Sequence, residues 1–154
     1  MQELFIEILN LSSKELQDAK QIYKYTKEMS SHIEQEDMDA LTHVIALRQK
    51  WMEQTEDTGI RVQEKLKELK SKYAHSLEEI NDKKEVRDIL ENRRKRKEIY
   101  KSAYEVEQEN QALLSKLLEK YKVRIMGIQQ GKEAFLKYGK GNKAGQSIMI
   151  NSLK

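Results

Sequence analysis

The chain has 154 residues and a formal charge of +3 built from 29 basic and 26 acidic side chains, with neither proline nor cysteine. The lack of cysteine excludes disulfides, thiolate nucleophiles and zinc–thiolate sites, and it fits a reducing compartment. With 36% charged and 6% aromatic residues, the composition is too polar for a thick layered core and suits long helices sharing a narrow seam.

Length alone predicts one domain. The first residues, Met1-Gln2-Glu3-Leu4-Phe5-Ile6, show neither the basic region nor the long apolar run of a secretory leader. No stretch is apolar for long enough to cross a bilayer, so the expectation is a cytoplasmic protein with no membrane insertion.

In the first segment Leu4/Phe5, Ile8/Leu9, Leu11, Leu16, Ala19, Ile22/Tyr23, Met29 and Ile33 recur mostly at three- and four-residue steps. This spacing predicts a helix over 2–35. The acidic run Glu34 to Asp37 reads as a tight connection, with Asp37 as N-cap of the next helix, because its carboxylate can accept from orphan amides there.

A second helix is predicted over 38–73. Leu41, Arg48, Thr55, Val62 and Leu69 recur at heptad spacing, with Ile45, Met52, Gly59, Leu66 and Tyr73 as the companion positions. A heptad sustained over that distance argues for packing on another long helix. Glu68 with Lys72, and Glu91 with Lys95, have the favourable acid-before-base spacing. Between 74 and 84 the pattern loosens around a capping-box pair, Ser76 and Glu79, and a turn at Asn81-Asp82.

The third helix is predicted over 84–138, with Val86, Leu90, Tyr100, Ala103, Val106, Leu114, Leu117, Tyr121, Ile128 and Phe135 along its stripe. Arg93, Arg96, Glu107 and Asn110 interrupt that stripe, and polar seam residues trade stability for register. Gly127 and Gly131 weaken the helix, each by up to about 1 kcal/mol relative to alanine. The glycine-rich stretch 139–145 reads as a linker leading to an apolar tail with Ile148, Met149, Ile150 and Leu153. The fold class is therefore all-α: an elongated antiparallel bundle of about three long helices over 1–138, with coiled-coil-like packing, and a flexible tail over 139–154.

Catalytic chemistry finds little support. His32, His43 and His75 never take the spacing of a helical zinc site, and the glycines of 139–145 lack the P-loop pattern. No cofactor, metal or small-molecule substrate is expected, and the chain is read as non-enzymatic. The run Arg93-Arg94-Lys95-Arg96-Lys97 spreads around the helix instead of forming one basic face, which argues against nucleic acid. Trp51, beside the seam, reads as buried packing or as a partner hot spot. From Leu117 to Phe135 apolar residues, among them Tyr121, Ile125 and Ile128, cover more than one helix face, which implies more than one helix to pack against, from this chain or from another. The tail residues Ile148 and Ile150 either strap back or dock on a partner.

Three stretches together resemble the FlgN/FliT-type flagellar export chaperones. They are Glu36-Asp-Met-Asp-Ala-Leu-Thr-His-Val-Ile-Ala-Leu-Arg-Gln-Lys50, Val106-Glu-Gln-Glu-Asn-Gln-Ala-Leu-Leu114, and Ile125 through Tyr138 with Gly131-Lys-Glu-Ala. The tail Ser-Ile-Met-Ile-Asn is similar to the family's ending, with Asn151 in place of an aspartate. The resemblance implies a cytoplasmic chaperone that binds a hook-associated or filament-cap protein and delivers it to export-gate components. It also points to Tyr138 and the neighbouring apolar positions as partner contacts. A coiled-coil spacer or homodimer would account for the heptads but not for an apolar tail beyond a linker.

Overall fold

A computed structural model describes residues 1–138 of the chain. It contains three α-helices and no strand among the described residues: α1 (Gln2–Glu34), α2 (Met38–Tyr73) and α3 (Lys84–Tyr138). The predicted helices agree to within a residue at each end, because their stop signals are local and strong. Asp37 caps α2 by accepting from the Ala40 amide at 3.1 Å. Ser76 and Glu79 form the capping box, which opens a short 3₁₀ turn, Leu77–Ile80. Helix α2 closes on Ala74 in the left-handed conformation, φ 55°, with its amide bonded to the Lys70 carbonyl at 2.9 Å.

The chain divides into two compact units, Met1–Leu113 and Leu114–Lys154. In the first, α1 is the most buried helix, with thirteen buried side chains where α2 has five, and it contacts both α2 and α3. Its partners run in opposite senses. Glu7 reaches Lys65 and Thr26 reaches Arg48, so α2 descends as α1 rises. Hydrogen bonds between α1 and α3 join residues separated by 79 to 84 positions, which makes these two helices parallel and in steady register.

The most apolar part of the core lies where the start of α1, the end of α2 and the start of α3 converge. Leu4, Phe5, Ile8, Leu69, Leu77, Val86 and Ile89 form one buried cluster there, and Leu66 and Tyr73 pack against it. Toward the other end of this unit the α2 seam departs from the heptad reading. Val44 and Thr58 are buried, whereas Ile45 and Met52 are 41% and 37% exposed. A straight helix drifts by about 20° per heptad against a strict seven-residue repeat, so one companion row cannot stay buried along the whole of α2. The Thr58 hydroxyl is satisfied locally by the Gln54 carbonyl at 3.0 Å. The pair Glu68–Lys72 forms as the spacing predicts, at 2.8 Å, but Glu91 pairs with Arg94 and not with Lys95.

The residues that interrupt the α3 stripe are the ones that hold polar partners. Arg96 pairs with the buried Glu15 of α1. Glu107 binds Arg48 of α2 at 2.6 Å, and the same guanidinium nitrogen reaches the Thr26 hydroxyl at 3.4 Å. Asn110 donates to the Thr26 carbonyl at 2.9 Å and accepts from the Ser30 hydroxyl. Each is a side-chain bond between helices, so the polar seam positions define a register that apolar contacts alone would leave loose.

Two substitutions test this packing by denaturant unfolding. Phe5, 1% exposed, is expected to lose about 3–5 kcal/mol on replacement by alanine, the usual range for a buried phenylalanine. Ala74→Gly is expected to gain roughly 0.5–1 kcal/mol, because glycine takes the left-handed cap without a Cβ penalty. An unchanged midpoint for Phe5→Ala would remove the cluster from the core.

Candidate functional site

The expected partner-binding residues fall in the second unit, on the part of α3 after Leu113. There Leu117 is buried and Tyr121 and Phe135 are half-buried. Ile125 and Ile128 are exposed, at 55% and 48%. Leu118, Val123, Met126 and Leu136 are also large apolar side chains left open to solvent. Tyr138 is the last residue of α3, while Ile148 and Ile150 lie outside the described residues. The stripe is helical as its spacing predicts, and most of it has no apolar cover.

Contiguous exposed apolar surface is uncommon on soluble domains and marks binding surfaces where it occurs. Local contacts here are polar: the Arg124 guanidinium sits 5.8 Å from the Tyr121 ring. A Cβ added at Gly127 or Gly131 would meet nothing within 4 Å, so neither glycine serves a close approach.

The first unit carries a separate open surface that the sequence reading missed. Because α2 and α3 both pack on α1, a cleft runs between them. One cavity of about 340 Å³ is lined by Ile22 and Thr26 on its floor, Arg48 and Met52 on α2, and Tyr100, Ala103, Tyr104 and Glu107 on α3. Met52 reads from the sequence as a seam residue, yet it is 37% exposed, and Tyr104 across the cleft is 65% exposed. No sequence signal separates Met52 from the buried Val44, since both are apolar and only the angle of α2 on α1 turns one of them into this cleft. A second cavity, of about 510 Å³, has charged residues in much of its lining, among them Glu15, Glu56, Glu64, Lys67, Arg93 and Arg96.

Two carboxyl groups of α1 are unusually placed. Glu15 and Asp18 are 4% and 1% exposed, and Asp18 Oδ2 has no hydrogen-bond partner. Burial pushes the Glu15 carboxyl above its ordinary range despite the opposing charges of Arg96 and Arg93. Burial likewise raises Asp18, with Lys14 opposing it. Among the described residues no three His, Asp or Glu side chains gather into a group able to hold a metal ion. None of the described helices is long and apolar enough to cross a membrane.

These raised acids have a consequence for stability. A folded-state value above the unfolded one means that the folded chain holds more protons in the window between them, so protonation there favours folding. Thermal stability is therefore expected to rise as pH falls from neutrality toward the ordinary carboxylate range. Below that range the trend reverses. Glu68, Glu79, Glu85 and Glu91 are held low by hydrogen bonds from Lys72, His75, the Glu85 amide and Arg94 respectively, and their contribution is lost as they protonate. Asp18→Asn should flatten the rise when melting temperature is followed against pH; an identical profile in the variant would refute the assignment. Compared with known proteins, the chain matches no family model, no curated protein and no solved structure.

Proposed function

We propose that this chain is a cytoplasmic, non-enzymatic chaperone of the FlgN/FliT type. In this reading it binds a hook-associated or filament-cap protein of the bacterial flagellum and keeps that protein's terminal helix from associating before export. The observation that carries the reading is the exposed apolar stretch of α3, from Leu118 through Leu136, the densest run of exposed large apolar side chains among the described residues. A helix that leaves this much apolar surface open is a docking element for another amphipathic helix, which covers the surface by interleaving its own apolar positions at three- and four-residue steps. The three-helix organisation and the sequence resemblance around residues 36–50, 106–114 and 125–138 support the same reading.

Delivery then needs only that the partner's helix be held reversibly. Burial of a few large side chains supplies on the order of 1.5–3 kcal/mol each, and the ordering of both helices offsets much of that gain. The complex would be firm enough to mask the partner and loose enough to release it.

Co-purification with the C-terminal helices of flagellar junction and cap proteins tests the proposal. A 1:1 complex with one of them is expected, lost in Ile125→Glu/Ile128→Glu while the circular dichroism and melting temperature of the free chain stay unchanged. A stable homodimer with no affinity for any of these helices would instead favour a coiled-coil spacer.

A further inference from the structure

We infer that the partner surface covering the apolar stretch of α3 is acidic: an amphipathic protein helix whose apolar row is flanked by Asp and Glu. The inference rests on the docking site proposed above and adds the chemistry of its occupant. Residues 114–154 hold nine Lys and Arg against two Glu, a formal charge of +7, while residues 1–113 hold twenty basic and twenty-four acidic side chains, a formal charge of −4. The small net charge of the whole chain hides this division.

In the first unit acidic side chains outnumber the cations and five of the cations form ion pairs: Arg48 with Glu107, Lys65 with Glu7, Lys72 with Glu68, Arg94 with Glu91 and Glu98, and Arg96 with Glu15. In α3 beyond Leu113, Lys116, Lys122, Arg124 and Lys132 take part in no ion pair among the described residues. Cations set beside exposed Ile125, Met126 and Ile128 attract acidic groups at the rim of an apolar contact, where opposite charge speeds encounter and selects the partner.

Other occupants fit less well. A second copy pairing symmetrically through this segment would set one +7 segment against another. An anionic membrane would take up one face of the helix, but Val123 stands roughly 140° around the axis from Leu118, given 3.6 residues per turn, and would stay in water. Nucleic acid would neutralise the cations and leave Leu118, Val123, Ile125, Met126 and Ile128 uncovered, with three aromatic residues, Tyr121, Phe135 and Tyr138, to stack on bases.

The test uses the full chain and three synthetic amphipathic peptides with one apolar row and flanks of Glu, Gln or Lys. Binding is measured by fluorescence anisotropy at low and high salt. The Glu-flanked peptide is expected to bind roughly tenfold or more tighter than the Gln-flanked one and to lose that advantage in salt, as rim charges do. Lys122→Glu/Arg124→Glu/Lys132→Glu should transfer the preference to the Lys-flanked peptide. Equal binding of the Glu and Gln peptides would overturn the acidic partner and leave the docking site standing. No binding of any peptide would overturn both. Capture of phosphatidylserine vesicles or of single-stranded DNA without selection for the Glu peptide, or a dimer formed through this segment, would also overturn the inference.

Discussion

Register is the constraint on which the first unit depends. Three long helices with largely apolar seams can slide past one another by a turn at little cost in buried area, so area alone does not select one alignment. The layer formed by Thr26, Arg48, Glu107, Ser30 and Asn110 does. It draws on all three helices, and a slip of one turn would leave the Arg48 guanidinium and the Glu107 carboxylate half-buried without each other. Separating such a pair leaves two poorly solvated charges without a partner, a cost that a slipped apolar seam does not carry. The steady separation between α1 and α3 partners follows from that layer and from the Asn92 and Arg96 contacts farther along.

The same unit grades from apolar to polar along its axis. Its cluster around Phe5, Leu69 and Ile89 has no polar member, while the middle holds Glu15, Asp18 and Thr58. Buried carboxyls of this kind cost stability near neutrality, since the charge they carry is poorly solvated. The Glu15 side chain is partly compensated by Arg96, whereas the buried Oδ2 of Asp18 has no hydrogen-bond partner. The apolar cluster offsets that cost. Gly59 lies beside Glu15, where an added Cβ would come within 3.8 Å of its carboxylate, so the glycine leaves the cavity edge around this acid open.

The sequence displayed the helices almost completely, since Asp37, Ser76 and Glu79 act on their own neighbours and need no tertiary context. It also displayed the polar interruptions of α3 at Arg96, Glu107 and Asn110. What it concealed was which helix each of them would meet, because that depends on pairing across some 80 residues. The companion row of α2 went astray for a related reason. Ile45 and Met52 are as apolar as Val44, and only the angle at which α2 lies on α1 decides which of them turns inward. The candidate stripe, with Leu117, Tyr121, Ile125 and Ile128, was visible from its spacing. The lack of apolar cover over Ile125 and Ile128 was not, and neither was the boundary at Leu114 that separates −4 from +7.

Gly127 and Gly131 set the character of the helix that carries the exposed stripe. With open space beside both positions, nothing in the packing requires glycine there, and each weakens the local helix by up to about 1 kcal/mol. Backbone order around them is therefore shallow, and amide protons there exchange with solvent sooner than those of Phe5 or Ile89 in the buried cluster. On the proposed reading, a partner helix covering this stretch would stiffen the backbone as part of its own binding, and its release would be eased by fraying at the glycines.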